Sequence, residues 1–196
     1  MNKMIPGTTL KFSEQARDSA FSLIAPVLEA TGGLTLSQLS KLTGLEGSTI
    51  QNWIKRGWIS STQGKKYSEK QVIRILLINM LRGAMKLEDI ARLMNCINGD
   101  VEDTSDDIIA DVILYNILCR IIFTAEDVGA FEPKSVRKLI TQELDASSGC
   151  IRSGRETLDK AMYIMIMAYR SACLKQEMES VLTDLLGADK DIESGE

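Results

Sequence analysis

Residues 34–95 decide the fold: LTLSQLSKLTGLEGSTIQNWIKRGWISSTQGKKYSEKQVIRILLINMLRGAMKLEDIARLMN. The stretch opens on Thr35-Leu36-Ser37-Gln38. That is the T-x-x-Q capping box, in which two otherwise unpaired backbone N–H groups of a helix start are satisfied reciprocally. A short helix follows, with Leu36, Leu39 and Leu42 on one face. Gly44 breaks it. A second short helix is expected from about Glu46 to Ile54, with Ile50, Trp53 and Ile54 turned inward and Gly57 at its end. Trp58-Ile59 and Lys65-Lys66-Tyr67 flank the polar turn Ser60–Gly64 and read as a two-stranded hairpin. Ser68-Glu69-Lys70-Gln71 is a second capping box. It opens a helix from Glu69 to about Arg82, with Val72, Ile75, Leu76 and Met80 at helical spacing. Gly83 closes it, and Leu87–Asn95 forms one more helix with Leu87, Ile90, Ala91 and Met94 inward.

Upstream, Ser13 is placed to cap a helix over Glu14–Ala25, ended or kinked by Pro26 because proline lacks the N–H that the helix needs. Pro26 also suits the opening of a second short turn to Thr31, stopped by Gly32-Gly33. Downstream, Asn98–Asp107 reads NGDVEDTSDD, a turn signal followed by five acidic residues, and is expected to be a solvated linker. Thr104-x-x-Asp107 is placed to cap a helix over Ile108–Thr124. Glu132-Pro133 puts proline at the first position of a helix over Lys134–Leu144. Ser153-x-x-Glu156 is a further capping box, and the helix after it is expected to run from Arg155 as far as Leu186, stopped by Gly187. Within it, Leu158, Met162, Met165, Tyr169 and Ala172 alternate by four and three. That spacing makes a helix–helix seam, either within the chain or between two copies.

The expected fold class is all-α with a small two-stranded β-hairpin wing. It joins an N-terminal winged helix-turn-helix to a C-terminal helical domain. The expected organisation is an N-terminal helical extension (1–33), the winged segment (34–97), an acidic linker (98–107), a helical dimerisation or effector domain (108–187) and a disordered tail (188–196).

Charge divides the same way. The 196 residues carry a formal net charge of -4. Residues 1–33 are neutral, residues 34–95 are +6 with ten basic and four acidic side chains, and residues 96–196 are -10. A basic module inside an acidic chain points to an anionic partner for that module alone.

The composition excludes several chemistries. There is no histidine, so there is no Ser–His or Cys–His nucleophile pair and no HExxH zinc site. Cys96, Cys119, Cys150 and Cys173 are scattered, with no CxxC. The 44% hydrophobic content suits a folded chain. No apolar run reaches the ~18–20 residues of a membrane helix, and no secretory signal is visible at the N-terminus. The expectation is a cytoplasmic protein that is not an enzyme, needs no cofactor or metal, and has no membrane partner.

Leu39, Leu42, Gly44, Thr49, Ile50, Trp53, Gly57, Tyr67-Ser68-Glu69 and Leu87-Glu88-Asp89-Ile90 stand in the order and spacing of one known module. On these residues the segment resembles the MerR-type winged-helix DNA-binding domain, over about a third of the chain. The arrangement as a whole looks like bacterial proteins that join a MerR-like domain to an all-helical C-terminal half. The resemblance implies a helix-turn-helix that binds double-stranded DNA. MerR regulators continue into a long coiled-coil helix, whereas the acidic stretch intervenes here, so the family's dimer geometry is not carried over.

The residues support the same expectation. With Ile50, Trp53 and Ile54 inward, Ser48, Thr49, Gln51, Asn52 and Lys55 are left to face a major groove. Gln and Asn can bond adenine in a bidentate way. Lys55, Arg56, Lys65 and Lys66 suit phosphates, which supply affinity and register, and the Tyr67 hydroxyl suits one more. The expected protein is a sequence-specific, DNA-binding transcriptional regulator. It would act as a homodimer, with room for an effector in its C-terminal half. The alternative is a protein–protein interaction adaptor on the same scaffold, without DNA binding.

Overall fold

A computed structural model describes residues 3–62, 64–99, 101, 103 and 105–193, with side chains described to residue 186. Eight α-helices are found among these residues: α1 (Ala25–Thr31), α2 (Leu36–Thr43), α3 (Gly47–Lys55), α4 (Glu69–Leu81), α5 (Leu87–Asn98), α6 (Asp111–Val128), α7 (Pro133–Ala146) and α8 (Arg155–Glu193). Two short strands, β1 (Leu34–Thr35) and β2 (Lys66–Tyr67), form one antiparallel pair. The chain is mostly helical with a small two-stranded sheet, as its composition and periodicity lead one to expect.

Local signals set several helix starts. The Thr35 backbone N–H donates to Gln38 Oε1 at 2.9 Å, and Gln38 N–H donates to Thr35 Oγ1 at 3.3 Å. The same reciprocal box forms between Ser68 and Gln71. Pro133 occupies the first turn of α7, where its missing N–H removes no helical bond. Gly44 ends α2 in the left-handed conformation at φ 70°, which a side-chain-bearing residue adopts only with strain.

Several expectations need correction. The segment Glu14–Ala25 is not one helix. It holds two 3₁₀ turns, Glu14–Ala16 and Ala20–Leu23, and of the two roles expected for Pro26 the second is found, since it lies in the first turn of α1, which runs to Thr31. The Trp58–Tyr67 hairpin does not form. Trp58 N–H closes the end of α3 on the Trp53 carbonyl, Ile59 is buried in the core, and the Ser60 carbonyl accepts from Gln71 Nε2. β2 pairs instead with β1, Leu34 opposite Tyr67 and Thr35 opposite Lys66. Gly33 permits this approach, since a Cβ there would stand 2.6 Å from the Tyr67 carbonyl oxygen.

Boundaries move as well. α5 extends to Asn98 and buries it, so the acidic stretch starts one residue later. α6 begins at Asp111 with Ala110 at its N-cap, and Thr104, the expected cap, lies outside the described residues. α8 does begin at Arg155, as expected, but Leu158 N–H bonds the Gly154 carbonyl, so Gly154 and not Ser153 directly precedes the helix. It also runs through Gly187 to Glu193, over most of the expected disordered tail. An interior glycine costs a helix only about 1 kcal/mol, too little to stop one this long.

One core runs through the molecule. Ile5, Phe21, Leu39, Trp53, Ile59, Leu76, Leu118, Ile140 and Met165 all belong to it. At its centre is α4, buried on nearly every side and packed against α2, α5, α6 and α8. The N-terminal arm is tied down by polar groups. Asn79 Nδ2 donates to the Gly7 and Thr43 carbonyls at 2.9 Å each, and the buried Tyr115 hydroxyl donates to the Pro6 carbonyl at 2.8 Å. Leu158, Met162 and Met165 are buried against the same core, so the seam they begin is intrachain. Beyond it, α8 leaves the body and exposes Leu174, Met178, Val181, Leu182 and Leu185. No described helix is long and apolar enough to cross a membrane.

Candidate nucleic-acid interface

α2 and α3 are joined by the turn Gly44-Leu45-Glu46, with Leu45 buried beneath it. Gly47 lets the two helices approach: a Cβ there would lie 3.1 Å from a Leu36 methyl. Ile50 and Trp53, 0% and 1% exposed, fix the inner face of α3. That leaves Ser48, Gln51, Asn52 and Lys55 on the exposed side, with Thr49 half-buried at its edge. These residues recur at helical steps, and so the inward side sets the outward one.

The remaining expected residues divide into three groups. Lys65 is exposed with no ion pair among the described residues. Arg56 and Lys66 are exposed but occupied. Arg56 Nη1 bonds Glu88 Oε1 at 3.1 Å and its guanidinium lies 5.1 Å from the Trp58 ring centre. Lys66 Nζ donates to the Thr31 carbonyl at the end of α1. Tyr67 belongs to the core, 5% exposed, and burial pushes its phenol pKa up. Its ring packs inward from the β1–β2 pair, so little of Tyr67 is open to a phosphate.

The same sorting applies to the whole basic segment. Lys70 Nζ donates to the Val101 carbonyl at 2.6 Å, Arg82 Nε to Asn79 Oδ1 at 2.8 Å, and Arg92 Nη1 lies 3.7 Å from Asp89. Arg74, 5% exposed, lies 3.4 Å from Asp111 Oδ2. Lys41, Lys55, Lys65 and Lys86 make no side-chain ion pair or hydrogen bond among the described residues. The charge free of such partners therefore lies at Lys41 on α2, Lys55 on α3, Lys65 before β2 and Lys86 before α5, and amounts to less than the sequence total.

Sequence reasoning passed over the second polar cluster, Lys70, Arg74, Asn98, Asp107 and Asp111, where α4, α5 and α6 meet. Its signal was the lone arginine inside the apolar run QVIRILLINML (71–81). An arginine on a helix that is apolar all round has to be paired. No three cysteine or acidic side chains among the described residues are grouped to hold a metal ion.

The sequence matches a family described as "Domain of unknown function (DUF1836)" over residues 27–117. That span runs from α1 into α6, and so takes in both the exposed side of α3 and the buried cluster. The chain is also similar to the "Uncharacterized protein YkrK" of Bacillus subtilis (strain 168), 27% identical over 138 residues. The aligned part is 67% of this chain and 57% of the Bacillus protein. No solved structure matches the chain.

Proposed function

We propose that this protein is a sequence-specific, double-stranded-DNA-binding transcriptional regulator of the MerR-like winged-helix type, with α3 as its reading helix. The observation that carries the reading is the outward side of α3. Ser48, Gln51, Asn52 and Lys55 are exposed together on a short helix that follows a Gly turn, while Ile50 and Trp53 are buried. A helix so presented fits a major groove, and its amide side chains suit adenine edges. Lys55, Lys65, Lys41 and Lys86 are open to phosphates. Arg56 joins them when it releases Glu88, since an exposed pair holds with no more than about 1 kcal/mol. The β1–β2 pair takes the place of the expected hairpin and carries Lys66 at its edge.

The regulator acts as a homodimer. The support is the part of α8 that leaves the body: Leu174, Met178, Val181 and Leu185 follow steps of four, three and four, and each is 48–64% exposed. A heptad-spaced apolar stripe is covered by a second helix of the same kind, and a two-fold dimer brings two reading helices to two half-sites. V181E and L185E should convert a dimer to a monomer in sedimentation equilibrium. A wild-type chain that is monomeric at the concentration where it binds DNA overturns the dimer.

The test of DNA reading is selection of bound sequences from random duplexes at two salt concentrations. A shared motif is expected, enriched by wild type and not by Q51A or N52A. The absence of any salt-dependent binding below ~100 μM, near the weak edge of nonspecific affinities, overturns the reading and favours the adaptor.

A further inference from the structure

A cavity of about 170 Å³ opens between α4, the end of α5 and the start of α6. An apolar cavity of about 150 Å³ accommodates benzene, so this one takes a molecule of roughly six to ten non-hydrogen atoms. Two of the side chains that line it are nearly inaccessible, Arg74 at 5% and Asn98 at 4% exposure. Each holds a buried polar atom with no hydrogen-bond partner: the Nε–H of Arg74 and the Oδ1 of Asn98. Buried polar atoms are nearly always bonded, and an unbonded one marks a place where something else completes the set.

The two orphans are complementary. Arg74 Nε is a donor on a cation, and Asn98 Oδ1 is an acceptor. Arg74 is already engaged on one side, Nη1 lying 3.4 Å from Asp111 Oδ2, and Asn98 Nδ2 donates to Asp111 Oδ1 at 2.6 Å. Asp111 thus holds both groups in place while Arg74 Nε and Asn98 Oδ1 stay unused. Lys70 adds a second positive charge to the wall, and Glu69 and Asp107 join Asp111 as its carboxylates. Ile73 and Val112 supply an apolar side.

A cavity with two cations, three carboxylates and one orphan of each polarity selects against a bare ion. An inorganic dianion would sit beside Asp107 and Asp111, and a metal cation would sit beside Arg74 and Lys70. A molecule carrying both charges on a short apolar body meets every wall. We infer that this cavity binds a small zwitterion of the amino-acid type, its carboxylate on Arg74 and its ammonium group at Asn98 and Asp107. Asp107 is suited to that role, because burial and the neighbouring Asp111 raise its carboxyl pKa and a nearby ammonium would draw it back. The site joins the basic segment, through α4, to the helical half, through α6. It does not depend on DNA binding.

The test is calorimetric titration of the full chain, without DNA, by each common L-amino acid, its amide and its decarboxylated amine. At least one amino acid should bind with a Kd below ~1 mM. Its amide and its amine should bind at least ~10-fold more weakly, as the loss of a charge-assisted contact requires. R74Q should weaken binding by ~10- to 100-fold. R74Q also leaves Asp111 unpaired, so a second variant is needed that keeps every charge. Ala110 is exposed at the cavity rim, and A110L should obstruct the opening and abolish the heat while leaving the thermal midpoint within a few degrees. The inference is overturned if no amino acid binds up to ~10 mM, leaving ordered water as the occupant. It is also overturned if amide and amine bind as well as the parent, or if A110L binds unchanged. Because no DNA is present, none of these results bears on the reading of α3.

Discussion

The basic segment places its cations in two settings, the open side of α3 and the buried junction of α4 with α6. On α3, Lys55 stands beside Ser48, Gln51 and Asn52 with nothing bound to it among the described residues. At the junction, Arg74 is almost wholly buried, shares one carboxylate with Asn98, and keeps an unpartnered N–H. The same sign of charge in the same +6 segment therefore answers two different needs. Exposed cations are cheap to place and remain available, whereas a buried one has to be matched by built partners. Net charge along a sequence measures the sum of the two, and only burial separates them.

The largest test of that contrast removes one carboxylate from each setting. Asp111→Ala leaves Arg74 buried without its counter-charge and should lower unfolding stability by about 3–5 kcal/mol. Glu88→Ala, which frees the exposed Arg56, should cost no more than about 1 kcal/mol. Urea unfolding of the two variants checks both figures. Similar losses would mean that burial does not distinguish the pairs.

A middle-sized effect belongs to α3 and is one of function. Gln51→Ala or Asn52→Ala should cost about 1–3 kcal/mol of DNA affinity and relax the choice at one base position. Both residues are exposed, so the thermal midpoint should hardly move. Affinity measured on a selected site and on its single-base variants reads both parts of this expectation. A drop in midpoint that parallels the loss of affinity would assign these side chains to folding instead.

How much of this was legible in the sequence follows from how local each signal is. The Thr35–Gln38 and Ser68–Gln71 boxes lie within four residues, and both form with the donors that the spacing implies. The inner face of α3 was equally readable, because Ile50 and Trp53 recur at the helical period. The strand pair was not. Leu34 and Tyr67 meet across α2 and α3, and nothing local tells Lys66-Tyr67 to pair backward with β1 rather than with Trp58-Ile59. The β-propensity of that Trp-Ile pair yields to the core, which takes Ile59, and to the end of α3, which takes the Trp58 N–H. The junction was half-visible. Arg74 stood out as an interruption, but its partner Asp111 lies 37 residues on, in a stretch read as a helix already under way. Its register was set by contacts that no short window contains.

Lys65 and Lys66 divide the exposed group more finely. Lys65 has no partner among the described residues, whereas the Lys66 ammonium donates to the Thr31 carbonyl. Lys65→Ala should reduce the slope of log affinity against log salt by about 0.9, one phosphate contact. Lys66→Ala should reduce it by less, because part of that ammonium is already held by the protein. Binding to a random duplex across a salt series measures both slopes. A larger change for Lys66 would mean that DNA draws it off Thr31.

The smallest effect lies outside the basic segment, where two cations are half-buried and paired. Asp127 at the end of α6 accepts from Lys3 Nζ at 2.7 Å and from Arg17 Nη1 at 2.7 Å, tying the N-terminal arm to the helical half. The Lys3 hydrogen bond foremost, then that of Arg17, holds the Asp127 carboxyl below the ordinary aspartate pKa of 3.8. A carboxyl lowered in the folded state stabilises it above the unfolded pKa. That contribution is lost as pH falls through the lower folded value, when the carboxyl protonates in both states. The tie should therefore be at full strength at neutral pH and fade in acid. Asp127→Asn should remove the fading along with the tie. Amide hydrogen exchange of residues 3–17 should show this as faster exchange in the variant at neutral pH and near-equality with wild type, after correction for intrinsic rates, once the medium is acid enough to protonate Asp127. Wild-type protection in that arm that is unchanged by both the variant and the acid would place its hold elsewhere, on the buried Ile5 and the Tyr115–Pro6 hydrogen bond.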